Sequence, residues 1–267
     1  MPTFRLVRAE TLKSVCIALI ATSGIRIDSI TPYRIVAFMV IVAGFIFHNL
    51  VANHWSYQMI LCYFSALFLI RYFYLFGGFG KRGFSRAMIA KHGESKAWDR
   101  YELITSFLFF QRGLCFGLLV SVSRGSHPLW DILTPAWLLG VGIFFVAAGL
   151  WINVASCQVI GIDTYFYKDL FLGRALGPFK AEGPYKHFRN PMYGVGQLSA
   201  YGAALMAGSS IGLLATILNQ VVMYFFYYRI ERPHVRLLLQ TATFPSSSIS
   251  SASSANPKRP ASSTNDV

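Results

Sequence analysis

The sequence predicts an all-α membrane protein: a polytopic helical bundle of about six hydrophobic segments that ends in a C-terminal helical hairpin. Three observations lead to this fold class. Of the 267 residues, 54% are hydrophobic and only 13% are charged, whereas soluble domains carry about 25% charged residues. Long apolar runs recur, each near the roughly 20 residues that a helix needs to cross a bilayer. The basic residues gather in alternate connections, as is typical of cytoplasmic loops.

Residues 1–32 are expected to form a cytoplasmic or interfacial segment. The apolar stretch Leu12–Thr22 is weaker than the later ones, and neighbouring basic residues give it some likeness to a signal peptide. Because no convincing small-residue cleavage site follows, we interpret it as an interfacial helix.

The transmembrane domain is expected over residues 33–236. Its hydrophobic segments are Tyr33–Val51, Tyr57–Leu75, Leu103–Val122, Leu133–Ile160, Val195–Gly208 and Ile211–Tyr228. The fifth is short for a crossing, and only two serines separate it from the sixth, so these two are expected to form a tight hairpin. The serine-rich residues 237–267 carry little apolar surface and are expected to be disordered.

The formal net charge of +13 is interpreted as a consequence of topology. If the N-terminus is cytoplasmic, nearly all basic residues fall on that side, and the opposite face keeps only Arg124. This is a strong positive-inside asymmetry, so no nucleic-acid partner is needed to explain the charge. The membrane would be the endoplasmic reticulum in a eukaryote or the inner membrane in a bacterium. The sequence leaves the oligomeric state open.

Two arginines interrupt the predicted spans. Arg71 lies near the cytoplasmic end of its segment and is expected to extend its charge to the interface. Arg112 lies near the middle of its segment and must face the bundle or a wet cavity. Structural pairing and a place on a substrate pathway are equally open for Arg112.

The four cysteines indicate no metal or disulfide chemistry. They are far apart and form no Cys-x-x-Cys or Cys/His pattern, so we interpret them as small apolar side chains, and no metal is expected. They are Cys16, Cys62, Cys115 and Cys157.

Dense polar sequence follows the fourth span, between Asp163 and Tyr193. Its glycines and prolines prevent one continuous helix. Irregular backbone next to a membrane persists only where protein buries it or where it lines a wet cavity, so the pattern favours a pocket. The alternative is an ordinary cytoplasmic loop whose basic residues only fix the topology.

The motif Gly-Pro-Tyr-x-x-x-Arg-Asn-Pro-Met-Tyr at residues 183–193 resembles the signature of integral-membrane methyltransferases. These include isoprenylcysteine carboxyl methyltransferases and phospholipid N-methyltransferases. Its continuation to Gly196, with the closing Glu231-x-Pro-His234, is similar to phosphatidylethanolamine N-methyltransferases. The resemblance covers roughly residues 140–236. Where many members have paired acids, Arg232 follows Glu231 here.

The resemblance implies S-adenosyl-L-methionine as cofactor, a phospholipid as substrate, and methylation of the phosphatidylethanolamine head group on the route to phosphatidylcholine. Arg189 would hold the cofactor carboxylate through its planar fork. The full set of cofactor-binding candidates is Tyr185, Arg189, Asn190, Pro191, Gly194, Gly196, Glu231, Arg232, Gly140, Gly142 and Gly149. The last three glycines lie within a span, where small residues are also common at helix contacts.

The catalytic candidates are Glu231, His234 and Tyr193. The acceptor amine is mostly protonated at neutral pH and must lose a proton before it attacks. Either Glu231 or His234 would take this proton.

Other functions remain open from the sequence. A carboxyl methyltransferase of prenylated cysteine would share the cofactor residues and differ in its acceptor, and a sterol-type NADPH reductase has a related C-terminal loop. A transporter or structural membrane protein is a further alternative, although no broken-helix pattern recurs in two corresponding halves. The Glu-x-Pro-His ending favours the phospholipid N-methyltransferase.

Overall fold

A computed structural model describes residues 2–52, 54–79, 83–126, 135–176 and 182–236, and every regular element in these ranges is helical. The α-helices are α1 (Pro2–Thr22), α2 (Pro32–Ala52), α3 (Tyr57–Gly78), α4 (Phe84–His92), α5 (Glu94–Val122), α6 (Pro135–Ile160), α7 (Ile162–Tyr165), α8 (Lys168–Leu172), α9 (Leu198–Met206) and α10 (Ser210–Phe226). Two 3₁₀ turns, Gly183–Lys186 and Val195–Gln197, precede α9, and a π-turn, Tyr227–Glu231, follows α10. The predicted all-α class is confirmed. The predicted tail, residues 237–267, lies outside the described residues.

Within the described ranges, five helices are long and apolar enough to cross a membrane. They are Pro32–Val51, Tyr57–Gly78, Glu94–Val122, Ala136–Ile160 and Ser210–Arg236. Large apolar side chains point outward from them, among them Phe73 and Phe144, which are 74% and 66% exposed. So much outward-facing apolar surface suits a lipid environment and not water. The predicted polytopic membrane fold is confirmed.

The helix boundaries differ from the predicted ones most clearly in α5 and α3, and one predicted boundary lies outside the described residues. Helix α5 begins at Glu94 and not at Leu103, because Gly93, with φ of 76°, ends α4 and immediately starts α5. Helix α3 continues to Gly78, beyond the predicted end at Leu75. Helix α6 begins at Pro135 in the described residues, and the predicted start at Leu133 lies outside them.

The N-terminal helix α1 packs against α6. Its small residues Ala18 and Ala21 are only 2% and 1% exposed, and small side chains let two helices approach closely. Near the end of α6, Gln158 donates a hydrogen bond of 3.1 Å to the hydroxyl of Ser14. The last part of α1 is therefore attached to the transmembrane bundle.

The first arm of the C-terminal hairpin is shorter than predicted. The segment expected over Val195–Gly208 forms a 3₁₀ turn and then only nine residues of α-helix, Leu198–Met206. Nine residues rise about 13.5 Å, less than half of the roughly 30 Å hydrocarbon layer. Gly208, with φ of 59°, ends this arm, and Ser209 caps α10 by accepting the amide proton of Gly212. The hairpin is confirmed, but its first arm is a half-helix.

The turn of the hairpin contacts the C-terminal end of α5. The hydroxyls of Ser123 and Ser209 lie 2.6 Å apart, and the amide of Gly125 donates to the carbonyl of Ala207 at 2.9 Å. The turn therefore reaches the same end of the bundle as the end of α5, although α9 is too short to cross. It follows that the segment before α9 starts within the thickness of the bundle.

A charged cluster closes the opposite end of the bundle. Arg26, which follows α1, pairs with Glu102 of α5 at 3.2 Å and with Asp163 of α7 at 2.8 Å. Arg34 of α2 pairs with Glu102 at 2.6 Å. Burial by itself would raise the pKa of Asp163, but hydrogen bonds and charge from Lys168 and Arg26 lower it overall. These side chains fasten four segments that are distant in sequence.

Candidate active site

The motif backbone is held against the middle of α6. The amide of Gly196 donates to the carbonyl of Pro191 at 2.7 Å, which folds the chain into a tight turn. The carbonyl of Gly196 accepts a 2.9 Å hydrogen bond from the side chain of Asn153. A Cβ at position 196 would lie 2.5 Å from Asn153 Oδ1, so only glycine allows this approach. Asn153 lies about two turns, or about 10 Å, before the end of α6, so the motif turn is recessed below that end.

Tyr193 connects the motif to the C-terminal helix. Its side chain is 5% exposed, and Oη donates a 2.7 Å hydrogen bond to Glu231 Oε2. Glu231 is the last residue of the π-turn, in which the amide of Arg232 reaches back to the carbonyl of Tyr227. Such turns are rare in proteins, but those that occur are often found at functional sites. The motif and the C-terminal helix are therefore in direct contact at this pair.

The electrostatic surroundings keep Tyr193 protonated. Burial, followed by the negative charge of Glu231, raises the pKa of Tyr193 well above its ordinary value. Burial and then the charge of Glu231 also raise the pKa of Tyr185. Both hydroxyls therefore keep their protons at neutral pH, and Tyr193 acts as the hydrogen-bond donor to the carboxylate.

Tyr167 extends this arrangement inward. Its Oη lies 3.4 Å from that of Tyr193. Among the described residues, Tyr167 is the only non-glycine residue with a left-handed backbone conformation, at φ of 66°. A residue with a bulky side chain adopts this conformation only when its surroundings enforce it. Edge contacts with Phe109 and Phe226 pack its ring. Burial raises the pKa of Tyr167, and the positive charge of Arg71 acts against that shift.

A cavity of about 160 Å³ lies between the motif turn and the spans. One part of its lining is apolar and includes Leu150, which is also 40% exposed on the outer surface of α6. The polar side chains of the lining are those of Thr22, Arg71, Arg112, Asn153, Tyr165, Tyr167, Tyr193, Gln197 and Ser199. The cavity therefore brings the motif together with charged groups from the N-terminal half of the chain.

Arg71 does not extend to the interface, so that prediction is wrong. Its side chain is buried, with 5% exposure, and turns into the bundle. The guanidinium lies 5.0 Å from the ring centre of Phe109 and 5.3 Å from that of Tyr72, and both contacts favour an inward position.

Arg112 lines the same cavity, which confirms that it faces the bundle. A charge near the centre of a span, such as that of Arg112, costs at least about 2.5–3.5 kcal/mol.

A polar network connects Arg112 to the motif. Its Nη1 donates to Asn219 Oδ1 at 3.1 Å, and Asn219 Nδ2 donates to Gln197 Oε1 at 3.0 Å. Gln197 Nε2 then donates to the carbonyl of Met192 at 3.1 Å. Tyr72 also donates to Asn219, at 2.8 Å. Spans α3, α5 and α10 thus share one hydrogen-bonded assembly with the motif turn.

Comparison with known proteins relates part of this chain to one family. Residues 137–241 match the family model for phospholipid methyltransferases. The resemblance stated from the motif is confirmed. The matched region contains the motif turn, α9, α10 and Glu231, whereas Arg71 and Arg112 lie outside it.

Curated relatives point the same way. Phosphatidylethanolamine N-methyltransferase of Kluyveromyces lactis is 21% identical over 146 residues, which are 53% of this chain and 17% of that protein. Those of Schizosaccharomyces japonicus and Candida tropicalis are 27% and 29% identical over 45% and 41% of this chain. The chain spans less than a fifth of the length of these relatives. No solved structure matches it significantly.

The other motif residues of the matched region occupy different surroundings. Pro191 is fully buried, and the carbonyl of Asn190 accepts the amide proton of Gly194 at 3.0 Å. A Cβ on Gly194 would lie 3.0 Å from the hydroxyl of Tyr224. Arg189 is exposed. The first three shape the turn, whereas only Arg189 is displayed to a ligand approaching from outside.

Arg232 and His234 lie beside Glu231 with buried polar atoms. Arg232 Nε and His234 Nε2 have no hydrogen-bond partner within the described residues. The Arg232 guanidinium lies 5.6 Å from the ring centre of Tyr228. Burial raises the pKa of Asp169, while backbone hydrogen bonds and the interaction with the nearby His234 oppose that shift. The C-terminal segment thus offers unsatisfied polar groups around the carboxylate.

The three glycines of α6 have packing contacts of different kinds. A Cβ on Gly149 would collide with the backbone nitrogen of Ser199, and a Cβ on Gly142 would lie 2.8 Å from the carbonyl oxygen of Gly202. These two allow α9 to pack tightly on α6. A Cβ on Gly140 would meet nothing within 4 Å. Their role at the cofactor stays a prediction, and helix contact is the role that the geometry supports for Gly142 and Gly149.

Several lining residues were not anticipated from the sequence. Asn153 is a polar residue within the apolar run of α6, and Gln197 lies directly after the glycines of the motif. Both signals were available in the sequence, because a polar side chain inside a span is a functional candidate by default. Tyr165 and Tyr167 carried no such signal, since aromatic residues are abundant throughout this chain.

Proposed function

We propose that this chain is an S-adenosyl-L-methionine-dependent N-methyltransferase that acts on the head group of phosphatidylethanolamine. The observation that carries the proposal is the contact between Tyr193 and Glu231 at 2.7 Å, inside the region that matches the phospholipid methyltransferase family. Tyr193 also lines a recessed cavity whose lining is partly apolar. A lipid head group and a water-soluble methyl donor meet most readily at such a place.

The surroundings of Glu231 fit the methyl donor. S-adenosyl-L-methionine supplies a methyl group on a positively charged sulfur, together with an ammonium, a carboxylate and an adenine. The carboxylate of Glu231 and the rings of Tyr185 and Tyr193 favour positive charge nearby. The unpartnered Arg232 Nε and His234 Nε2 add polar groups, and exposed Arg189 is the candidate for the donor carboxylate.

The volume of the cavity indicates that the methyl donor and the lipid acceptor bind in different places. Pockets that hold a whole cofactor or drug-sized ligand measure about 300–1,000 Å³, and this cavity measures about 160 Å³. We therefore assign the cavity to the acceptor head group and place the donor on the outer side of Tyr193 and Glu231. Tyr193 then borders both compartments, at the place where the amine and the methyl group must meet directly and in line for transfer.

The protein's contribution to the reaction is alignment and proton removal. The amine of the head group must lose a proton to attack, and Glu231 or His234 is the group that accepts it. Tyr193 holds the carboxylate of Glu231 through its hydrogen bond and thereby fixes the direction from which the proton is taken. No metal-dependent step is needed for this displacement.

We place the active site on the cytosolic side of the membrane, and in the endoplasmic reticulum of a eukaryotic cell. The segments around the site carry most of the basic residues, as cytoplasmic segments do. The relatives named above come from fungi, which supports the endoplasmic reticulum over a bacterial inner membrane.

Incorporation of labelled methyl groups into total lipid tests the function. Membranes that contain this chain, supplied with methyl-labelled S-adenosyl-L-methionine, should form N-methylated phosphatidylethanolamine. Membranes that contain the Glu231→Gln variant serve as the control and should form little. Label recovered instead as a base-labile methyl ester of prenylated peptide would favour the carboxyl methyltransferase, and absence of label from both would refute methyl transfer to these acceptors.

A further inference from the structure

Two arginines from the N-terminal half of the chain line the head-group cavity. Arg71 comes from α3 and Arg112 from α5, and neither helix belongs to the region matched by the family. The residues that line the cavity include no aspartate or glutamate. The described lining is therefore positively charged, at a depth where charge is costly.

The protein itself leaves this charge incompletely satisfied. Nε and Nη1 of Arg71 are buried and have no hydrogen-bond partner in the described residues, although the side chain is 95% buried. Arg112 donates to Asn219, a neutral amide. The ion pairs found among the described residues involve neither arginine. Buried cations are normally paired, so an anion is missing from this pair.

Packing against aromatic rings explains the inward position of Arg71 but not its hydrogen-bond donors without partners. The rings of Phe109 and Tyr72 lie against its guanidinium, and this attraction favours the inward position. Aromatic faces do not accept the in-plane N–H groups, however, and those groups are the ones without partners. A planar guanidinium offers such donors as a fork that fits the oxygens of a phosphate or carboxylate.

We propose that Arg71 and Arg112 bind the phosphodiester of the phospholipid acceptor inside the cavity. The inference rests on the proposed function for the identity of the lipid, and it adds a substrate-binding site in the part of the chain that the family model does not cover. The two guanidinium groups take the non-bridging phosphate oxygens. The ethanolamine then extends past Tyr167 toward Tyr193 and Glu231.

The charge distribution along the cavity fits a zwitterionic head group. Arg71 and Arg112 provide the positive end, and Glu231, reached through the hydroxyls of Tyr167 and Tyr193, provides the negative end. Phosphatidylethanolamine carries its charges in the complementary order, phosphate and then ammonium. Exposed Leu150 on the outer surface of α6 marks where the acyl chains leave the cavity for the lipid.

The carboxylate of the methyl donor is the competing anion. It fits the arginines less well, because the cavity is too small for the whole donor and Arg189 is displayed outside it. The test must therefore compare a lipid phosphodiester with the donor's carboxylate. S-adenosylhomocysteine carries the same carboxylate and transfers no methyl group, so it reports binding alone.

Binding measurements on the full-length protein in detergent distinguish the two anions. The ligands are short-chain phosphatidylethanolamine, diacylglycerol with the same acyl chains, and S-adenosylhomocysteine. Arg71→Gln and Arg112→Gln should each weaken phosphatidylethanolamine binding by about tenfold or more, since each removes a charge-assisted contact. Binding of S-adenosylhomocysteine and of diacylglycerol should change by less than about twofold. Arg124→Gln, at the exposed far end of α5, is the matched control and should change none of the three.

If the Arg71→Gln variant does not fold, Arg71→Lys is the second variant, because lysine keeps the charge and much of the aliphatic stem. It should still lose phosphatidylethanolamine affinity, because an ammonium lacks the planar fork, and it should retain S-adenosylhomocysteine. Equal loss of S-adenosylhomocysteine, or unchanged phosphatidylethanolamine affinity in both arginine variants, overturns the assignment. Wild-type protein that binds phosphatidylethanolamine through these arginines without methylating it would refute the proposed function and leave the binding site standing.

Discussion

Glu231 has more than one residue nearby with which it could act. Tyr193 donates a hydrogen bond to Glu231. Tyr185 lies close enough to Glu231 for the charge of the carboxylate to raise the pKa of Tyr185, in addition to the larger effect of burial. His234 lies one turn further along the same helix and close to Asp169. The carboxylate is thus placed between the motif and the C-terminal segment, where it can favour a positive sulfur, take a proton, or do both.

Substitution of Glu231 by glutamine separates charge from shape. The amide oxygen of glutamine can still accept the hydrogen bond of Tyr193, so the fold should be retained. Methyl transfer should fall by roughly two orders of magnitude or more, because the negative charge is lost. Glu182→Gln, at an exposed position just before the motif, should behave like wild type. Initial rates of labelled-methyl transfer, with thermal unfolding as the check on folding, provide the measurement.

The acidic limb of the pH–rate profile identifies the base. A limb near about pH 6–7 that disappears in a His234→Gln variant would assign proton removal to His234. A folded Glu231→Gln variant with wild-type transfer to phosphatidylethanolamine would remove Glu231 from the mechanism.

Among the elements, the contact between α6 and the half-helix α9 decides the depth of the motif. Gly142 and Gly149 bring the two backbones together, and Asn153 then holds the motif turn by its Gly196 carbonyl. Because α9 is short and its turn is fixed to the end of α5, the motif starts inside the bundle. That recess is what places it beside Arg71 and Arg112.

Gly149→Ala should therefore destabilise the protein. The added methyl would overlap the backbone of Ser199, and overpacking of this kind typically costs about 1–3 kcal/mol. Gly140→Ala is the matched control on the same helix, where the added methyl meets nothing within 4 Å, and it should be neutral to within about 0.5 kcal/mol. Thermal unfolding in detergent compares the two.

The same pair of variants tests the predicted cofactor role of the α6 glycines. If Gly149 contacts the donor directly, its alanine variant should lose S-adenosylhomocysteine affinity and keep its melting temperature. The opposite pattern, lower stability with retained affinity, would assign Gly149 to helix packing.

For the whole molecule, the contacts define two ends of the bundle. The charged cluster around Arg26 and Glu102, together with Glu231, occupies one end, and Ser123 with Ser209 occupies the other. The proposed orientation puts the first end in the cytosol, because the surrounding segments carry most of the basic residues.

Tags inserted at both ends test this orientation. A tag after Gly78 and one at the C-terminus should be accessible from the cytosol, and a tag near Ser126 should not be. Protease protection in sealed microsomes provides the measurement. A C-terminal tag protected inside the vesicle would contradict the proposed orientation.

The sequence by itself determined the class of the molecule and the candidate centre of its chemistry. Apolar runs of membrane length predicted the helices, because the bilayer requires backbone polar groups to be satisfied within each segment. The motif at residues 183–193 and Glu231 carried the family resemblance, since the types and spacing of residues in a short motif are readable without a fold. The glycines and prolines between Asp163 and Tyr193 also predicted irregular backbone beside the membrane.

Only the tertiary structure decided what those residues face. The burial of Arg71, the pairing of Arg26 with Glu102, and the contact between Tyr193 and Glu231 all join residues far apart in sequence. No local pattern encodes these pairs, because they depend on how five spans and a half-helix pack together. An arginine near the end of a span can reach the interface or turn inward, and the deciding factor was a cavity between helices that the sequence does not display.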